Sequence, residues 1–573
     1  MSSQPGESGE FAADGLGCHK PIHSPRRLKV ICIGAGASGL LLAYKLQRSF
    51  DYFDLTIYEK NEDISGTWFE NTYPGCACDM PAHVYTYTFE PNPNWSSVYA
   101  SSREIRNYFD CFATKYDLRK YISLRHQVVG AIWKEETGEW EVDVKNLEDG
   151  TIKHDSCSVL INATGITNAW KWPEIDGLYD FKGPLLHTAL WDASVELEGK
   201  HVGIIGNGSS GLQVLPAISP LAKKVTNFIR GPAWVVQSRT FESRTYSEEE
   251  RRRFAADPEL FLAYRKQLEM NVNELFPVLI ADSPAQRDML DATKKQMQNT
   301  LQDKALEELV IPTFPLGCRR LTPGPGYLEA LASGHVDVVF GEIAKITEHG
   351  CVSATGQEHH VDVLICATGF DVSYRPRFPL IGSSGGSLAE AWASEAQSYL
   401  GIAAHDFPNY FMFIGPNSPC GNGSLIVAVE AQADYMLRMI NRWQTENIHS
   451  FMPKKKAVED FIAFKDEFMK ATVWTHNCKS WYKNGDHITG KVTALWPGST
   501  LHYLEAIAEP RYEDWDFKII SNRFAFLGNG RSQVESDSAA DWAYYVRNED
   551  DGPYLSRLKR AKLVSRSGSA VRQ

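Results

Sequence analysis

The chain has 573 residues, of which 43% are hydrophobic and 23% are charged. This length is too great for one simple domain, so two or three domains are expected. The net charge of −12 argues against a surface that binds nucleic acid, because such surfaces need clustered Lys and Arg.

The N-terminal stretch, residues 1–27, is rich in Gly, Ser and Pro and predicts a disordered lead-in. It has no apolar segment typical of a signal peptide. The chain also contains no run of about 18 apolar residues, so we expect no membrane span. The 11 cysteines show no disulfide-framework spacing, so we expect reduced thiols and a cytoplasmic protein. Cys76 and Cys78 lack the spacing of a zinc knuckle, and no metal site is expected.

The first ordered elements predict a dinucleotide site. An apolar strand over residues 28–33 leads into Gly34-Ala-Gly36-Ala-Ser-Gly39, a helix follows, and a second strand ends at Glu59. In such a loop the glycines permit a tight turn, close approach of a pyrophosphate and close helix packing. The helix N-terminus favours an anion, and Glu59 stands at the distance where a carboxylate binds a ribose diol.

The same pattern returns about 170 residues later. A strand over 200–205 leads into Gly206-Asn-Gly208-Ser209-Ser210-Gly211, and the next strand, over 224–229, ends at Arg230. A 2′-phosphate needs a cation where a plain ribose needs an acid. Arg230 therefore favours NADPH at this second loop, and Ser209 and Ser210 could add hydroxyl donors to its phosphates. The first loop is then predicted to bind FAD.

The chain order of these patterns predicts an α/β fold with two Rossmann-like dinucleotide-binding domains and a helical insertion. Strands over 159–163 and 363–367 each end at Thr-Gly, where we expect the chain to cross between the domains. The predicted FAD domain comprises 28–170 and 371–545, and the predicted NADP domain 171–240 and 318–370. The insertion is 241–317, and 546–573 form a tail.

Two longer motifs narrow the family. Phe181-x-Gly183-x-x-x-His187-x-x-x-Trp191-Asp192 resembles the fingerprint of the Baeyer–Villiger monooxygenases, in which Asp or Pro follows the aromatic residue. In the related N- and S-oxygenating flavin monooxygenases that last position is usually basic. We treat His187 and Trp191 as structural or coupling residues.

The second motif places Gly66-Thr67-Trp68 before Tyr73-Pro74-Gly75 and Asp79, and resembles the other signature of this family. Thr67 and Trp68 are therefore expected beside FAD. One position departs from the pattern, because Ser65 stands where the family usually has Gly or Ala. The resemblance covers roughly residues 28–505, and fungal members of secondary metabolism look closest.

The segment Gly317-Cys-Arg319-Arg320-Leu321 is similar to the family's active-site arginine segment. The resemblance implies oxygen insertion beside a ketone carbonyl, with electrons from NADPH and oxygen from O2. Arg320 would stabilise the attacking oxygen anion, Asp79 would hold Arg320 and contact the cofactor, and Arg319 would lie nearer the NADPH phosphate. Trp481 matches a family position that touches the nicotinamide cofactor.

Three alternatives remain open. A flavin N- or S-oxygenase is disfavoured by Asp192 and Asp79, and a disulfide reductase would need a reactive cysteine pair that Cys76 and Cys78 do not supply. A non-catalytic flavin-binding protein is disfavoured by the intact loops and Arg320. The expected partners are a small-molecule ketone and O2, with no nucleic acid or membrane, and the sequence leaves the oligomeric state open.

Overall fold

The computed structural model describes residues 19–236, 242–485, 487–552 and 555–557. Most of the predicted lead-in, the predicted boundary at 240/241 and most of the predicted tail lie outside these residues. The chain forms two compact units. The larger comprises Pro25–Gln444 and Ile448–Ile520, and the smaller comprises Met1–Ser24, Thr445–Asn447 and Ser521–Gln573.

The strands are numbered in chain order. They are β1 Leu28–Ile33, β2 Phe53–Tyr58, β3 Ile122–Ser123, β4 His126–Lys134, β5 Glu139–Asn146, β6 Ile152–Cys157, β7 Val159–Asn162, β8 Leu185–His187, β9 His201–Ile205, β10 Lys224–Ile229, β11 Val336–Phe340, β12 Ile343–Ile346, β13 Gly350–Ser353, β14 Glu358–His360, β15 Val363–Cys366, β16 Leu380–Ile381, β17 Tyr410–Met412, β18 Ile448–Pro453 and β19 Trp515–Ile519.

The α-helices follow the same rule. They are α1 Ala37–Ser49, α2 Thr67–Glu70, α3 Ser102–Lys115, α4 Ser209–Ile218, α5 Glu248–Ala256, α6 Pro258–Asn273, α7 Pro284–Leu301, α8 Lys304–Val310, α9 Tyr327–Ala332, α10 Leu388–Ala391, α11 Leu425–Thr445, α12 Lys455–Met469 and α13 Thr500–Ala506. Among the described residues, no helix is both long enough and apolar enough to cross a membrane.

The first sheet has five parallel strands in the order β17-β7-β1-β2-β3. All of β1 except Lys29 is buried, as expected for a parallel strand that is covered on both faces. The register aligns Ile33 with Tyr58 on one side and with Asn162 on the other. The carboxyl ends of three strands therefore meet at one edge, which is where open α/β sheets bind ligands.

The second sheet repeats this arrangement with strands in the order β11-β10-β9-β15-β8, again parallel. Ile205 at the end of β9 lies opposite Phe228 and Cys366, so this sheet also gathers strand ends at one edge. The predicted α/β class with two Rossmann-like units is confirmed.

Four helices, α5 to α8, lie in the stretch predicted as a helical insertion. All four follow a residue whose side chain caps the first turn, and for α8 this residue is Asp303, which accepts from the Leu306 N–H. Ser247 forms a capping box with Glu250, Asp257 accepts from the Leu260 N–H, and Ser283 accepts from the Gln286 N–H. Caps of this kind satisfy N–H groups that a helix leaves free, which explains why the helices start at these residues.

The two segments that pass between the sheets run beside each other. Trp170 bridges Phe370 in antiparallel fashion. His187 Nε2 lies 3.2 Å from Thr368 Oγ1, and the His187 ring stacks on Trp170 with 4.7 Å between ring centroids. Burial lowers the pKa of His187 to about 4, so the ring is neutral near pH 7. These contacts support the interpretation of His187 as a structural residue.

The expectation of reduced thiols is wrong for two cysteines, because Cys318 and Cys478 form a disulfide. They are 160 residues apart in the chain, with Cα atoms 6.3 Å apart. Spacing alone could not reveal the pair, since only the fold brings the two segments together. The other described cysteines, including Cys76 and Cys78, are free.

Candidate active site

The first loop, Gly34 to Gly39, joins β1 to α1 and is shaped by contacts that admit no side chain. Gly34 has φ +105°, and a Cβ there would lie 2.7 Å from the carbonyl oxygen of Ala163. A Cβ on Gly39 would lie 2.1 Å from the Gly34 oxygen. A Cβ built on the middle glycine, Gly36, would have only atoms of Gly66 within 4 Å, the nearest at 3.8 Å. The loop is thus tight at both ends and open in the middle, where a pyrophosphate would approach.

Glu59 lies at the base of the first loop and is 4% exposed. Its Oε2 accepts a hydrogen bond from the Ala35 N–H at 2.8 Å, and Oε1 accepts from the Asn61 N–H at 2.9 Å. Burial raises the pKa of the carboxyl, although both backbone donors oppose this. The side chain is therefore held at the strand end, where a ribose diol would reach it.

The segment with Gly66, Thr67 and Trp68 packs against the first loop. Gly66 has φ +49°, and a Cβ on it would lie 3.2 Å from the Gly36 Cα. Thr67 is exposed and begins α2, whereas Trp68 is buried and its Nε1–H donates to the Tyr85 hydroxyl at 3.3 Å. The structure thus brings both motifs predicted for FAD to one place.

Asn417 carries one of several buried polar atoms in this half of the molecule that have no hydrogen-bond partner in the described chain. Asn417 is fully buried and donates through Nδ2 to the Thr493 and Leu495 carbonyls, but Oδ1 accepts nothing. An orphaned acceptor is unfavourable unless a ligand donates to it. The donor groups of FAD fit such an atom, as the open Gly36 fits its pyrophosphate.

The second loop, Gly206 to Gly211, joins β9 to α4 with nearly the same geometry. Gly206 has φ +114°, a Cβ on it would lie 2.5 Å from the Ala367 oxygen, and a Cβ on Gly211 would lie 2.5 Å from the Gly206 oxygen. Nothing lies within 4 Å of a Cβ built on Gly208. This loop therefore offers the same cradle for a second pyrophosphate.

The two serines of the second loop start α4 and already have partners. Ser209 Oγ lies 3.2 Å from Thr322 Oγ1, and Ser210 interacts with the Tyr73 hydroxyl. Tyr73 also donates to Gln213 Oε1 at 2.6 Å. Tyr73 belongs to the FAD-side motif, so these contacts join the two nucleotide-binding halves.

Two arginines lie near the second loop without a carboxylate partner among the described residues. Arg230 follows β10 and is exposed. Arg319 is partly buried, and its Nη1–H donates to the Pro232 carbonyl at 3.1 Å. Burial lowers the pKa of the Arg319 guanidinium, with no acid to oppose the effect. A cation in this setting is completed by a phosphate, which fits NADPH.

Asp79 and Arg320 form a two-bond ion pair across 241 residues of chain. Arg320 Nη2 donates to Asp79 Oδ1 at 2.7 Å, and Nε donates to Oδ2. Arg320 Nη1 also donates to the Cys420 carbonyl at 2.9 Å. Burial alone would lower the pKa of Arg320, but attraction and hydrogen bonds from Asp79 hold it well above its ordinary value. The structure thus supplies a fixed, permanent cation.

The disulfide ties the arginine segment to the segment that carries Trp481. Cys318 directly precedes Arg319, and Cys478 lies three residues before Trp481. The Trp481 ring is half-buried and meets Tyr482 edge-on, with 4.7 Å between centroids. The sequence placed both segments near NADPH but gave no sign of the covalent link.

A model of NAD(P)-binding Rossmann-like domains matches residues 32–102, which contain the first loop. The FAD-binding monooxygenase tazF of Aspergillus terreus is 41% identical to the chain, over 93% of this chain and 96% of that protein. A Baeyer–Villiger monooxygenase of Streptomyces coelicolor is 32% identical over 91% of this chain and 98% of its own.

The fold is shared with solved structures as well. Cyclohexanone monooxygenase from Rhodococcus sp. Phi1, bound to NADP+, superposes with a TM-score of 0.75 and 25% identity, covering 87% of this chain and 100% of that one. The family follows from the sequence relatives above 30% identity, and the two loops and the Asp79–Arg320 pair agree with it. The chain belongs to the Baeyer–Villiger monooxygenases, which are FAD- and NADPH-dependent enzymes.

Proposed function

We propose that this enzyme inserts one atom of O2 beside the carbonyl of a cyclic or polycyclic ketone, giving an ester or lactone in secondary-metabolite biosynthesis. The observation that carries the proposal is the two-bond Asp79–Arg320 pair. A cyclic or polycyclic substrate is also supported by the names of two solved structures with this fold, a cyclohexanone monooxygenase and a steroid monooxygenase.

The residues assigned to FAD and NADPH come from the two loops, from the strand ends beside them and from the motifs that resemble those of the family. Those for FAD are Gly34, Gly36, Gly39, Glu59, Thr67, Trp68 and Asp79. Those for NADPH are Gly206, Gly208, Ser209, Ser210, Gly211, Arg230, Arg319 and Trp481. When bound, FAD carries electrons from NADPH to O2 and so prepares one oxygen atom for transfer.

The domain assignment is part of the proposal. Residues 28–170 and 371–545 form the FAD domain, 171–240 and 318–370 the NADP domain, and 241–317 the insertion. Support comes from β17, which joins the first sheet, and from β11 and β15, which join the second. Residues from Ser521 onward fall in the smaller unit, so support for the FAD domain ends at Ile520.

Arg320 acts as a positive charge that does not titrate. Insertion beside a carbonyl builds negative charge, first on the attacking oxygen and then on the carbonyl oxygen. A guanidinium stabilises both without giving up a proton, because its pKa lies far above neutral. Asp79 fixes the plane of the guanidinium through two bonds, and the Cys420 carbonyl fixes it through a third. The cation is therefore oriented before substrate arrives.

Replacing Arg320 tests the proposal. Arg320→Ala is expected to keep FAD and to consume NADPH, but to form ester about 10²–10³-fold more slowly, as when one preorganised donor is removed. Arg320→Lys retains the positive charge but not the two-bond geometry, so its rate of ester formation should lie between those of the parent and Arg320→Ala. The measurement is ester formed per NADPH consumed, by mass spectrometry and absorbance.

The control is Arg27→Ala, because Arg27 pairs with Asp54 on the exposed surface at 2.6 Å. It should behave as the parent. Parental ester formation by Arg320→Ala would show that the cation is not needed for the reaction.

A further inference from the structure

Ser65 is held in a backbone conformation that its residue type does not favour. Its φ is +85°, in the left-handed region where an L side chain is strained and glycine is not. The family pattern has a small residue here, usually Gly or Ala. Strain of this kind persists where the surroundings fix the backbone, and it concentrates at binding sites.

The Ser65 hydroxyl is also without a hydrogen-bond partner in the described chain. The residue is 1% exposed, so bulk solvent hardly reaches the hydroxyl. Its backbone, in contrast, is satisfied at both ends. The N–H donates to the Ala35 carbonyl at 3.1 Å, and the carbonyl accepts from the Trp68 N–H at 3.1 Å.

Two other buried serines in the same unit have hydrogen-bonded hydroxyls. Ser398 Oγ donates to the Pro416 carbonyl at 2.6 Å, and Ser424 Oγ donates to the Val84 carbonyl at 3.0 Å. Ser65 therefore carries two unfavourable features, strain and an unsatisfied buried donor, that nothing in the described chain offsets. A bound molecule that accepts from the hydroxyl would offset one of them.

The position of Ser65 identifies that molecule. Ala35, which accepts its N–H, lies inside the first loop, and the next residue, Gly66, packs on Gly36. Gly36 immediately precedes α1, whose N-terminal N–H groups would face a bound anion. Ser65 thus borders the loop that would hold a diphosphate, and Ser65 and Glu59 are both hydrogen-bonded to Ala35 of that loop.

We propose that the Ser65 hydroxyl donates a hydrogen bond to an oxygen atom of FAD bound on the first loop. The proposal rests on the assignment of that loop to FAD. It gives this chain a cofactor contact that Gly or Ala at the same position does not make, and it explains why serine is kept in a strained conformation.

Two substitutions separate the hydroxyl from the strain. Ser65→Ala removes the hydroxyl and keeps the Cβ, whereas Ser65→Gly removes both. Each is expected to weaken FAD binding about tenfold, the effect of one lost hydrogen bond to a polar or charged acceptor. Ser65→Gly should also raise the melting temperature of protein stripped of FAD, because it relieves the strained φ.

The measurement is the release of FAD from purified holoenzyme, followed by flavin fluorescence on dilution, together with melting curves with and without added FAD. The control is Ser353→Ala. Ser353 is a buried serine in β13 whose hydroxyl is already paired with Thr355 Oγ1 at 2.8 Å. It should alter stability equally with and without FAD and leave FAD release unchanged.

The outcomes are distinguishable. Parental FAD affinity in both Ser65 variants would overturn the contact and leave the oxygenase proposal standing, since the enzyme would still bind FAD. A parent protein that binds no FAD at all would overturn both. Weaker binding in Ser65→Ala and Ser65→Gly alike would support the hydroxyl contact.

Discussion

The two glycine loops have nearly the same backbone and different surroundings. Gly34 and Gly206 have φ values of +105° and +114°, and each closes against the carbonyl of the alanine that directly follows a neighbouring strand. The third glycine of each loop packs on the oxygen of the first. The middle glycines face open space. The proposed assignment gives nearly the same backbone geometry to two cofactors, because both present a pyrophosphate to a helix N-terminus.

The charges beside the loops differ. The first loop has Glu59, buried and bonded to the loop itself, whereas the strand beside the second loop ends at the exposed Arg230, with Arg319 nearby. A buried carboxylate accepts hydrogen bonds from ribose hydroxyls and repels a phosphate, whereas an arginine that has no carboxylate partner attracts a phosphate. Under the proposed assignment, the loop sets where a dinucleotide binds and the neighbouring charges set which dinucleotide binds there.

The largest expected effect comes from adding a methyl group to the third glycine of each loop. Gly39→Ala places a Cβ 2.1 Å from a backbone oxygen, a clash that the loop must move to relieve. We expect protein that purifies without FAD and melts at lower temperature. Gly211→Ala, at 2.5 Å, should keep FAD and lose most NADPH affinity.

The readouts are the flavin absorbance of purified protein and an NADPH titration. Gly231→Ala is the matched control, since a Cβ there meets nothing within 4 Å. Full FAD content in Gly39→Ala would break the comparison, because the first loop would then not be the FAD site.

The next effect concerns the choice between NADPH and NADH. Arg230→Ala and Arg319→Ala should each weaken NADPH binding about ten- to a hundredfold, the effect of losing a charged hydrogen bond, and leave NADH nearly unchanged. Kd values for both nucleotides measure it. Lys223→Ala, which removes an exposed cation at the other end of β10, should change neither. An equal loss of affinity for NADPH and NADH would show that the arginine stabilises the fold and does not bind the 2′-phosphate.

The smallest effect concerns the disulfide between Cys318 and Cys478. Among the described residues, the segments assigned to FAD have no such covalent link. Cys478→Ser, or reduction with dithiothreitol, should weaken NADP+ binding a few-fold, because Arg319 and Trp481 are no longer tied together. FAD content should stay constant. Cys111→Ser controls for thiol effects, since Cys111 is free and exposed. Loss of FAD with unchanged NADP+ binding would contradict the assignment of this segment to NADPH.

Much of the fold could be predicted because its signals are local. The bounds of β1 and β10 agree with the sequence prediction. Apolar residues predominate in β1, and β10, which also holds polar residues, is bounded at its end by Arg230. Helix α1 begins at Ala37, earlier than its apolar residues alone indicate, because Gly36 already serves as its N-cap.

The site was predictable only in part. Pairing of Asp79 with Arg320, 241 residues apart, followed from motif resemblance and from the attraction between the two groups. The Cys318–Cys478 link and the orphaned Ser65 hydroxyl had no local signal, because both depend on how distant segments meet. Whether the assigned residues bind their cofactors stays a prediction.

The most direct test of the central claim uses isotopically labelled O2. With NADPH and a panel of cyclic and polycyclic ketones, the product should be an ester or lactone that contains one labelled atom, at the inserted ring or ester oxygen, and the second labelled atom should appear in water. An amine and a sulfide are offered to the same preparation. Labelled N-oxide or sulfoxide with every ketone left unchanged would contradict the account.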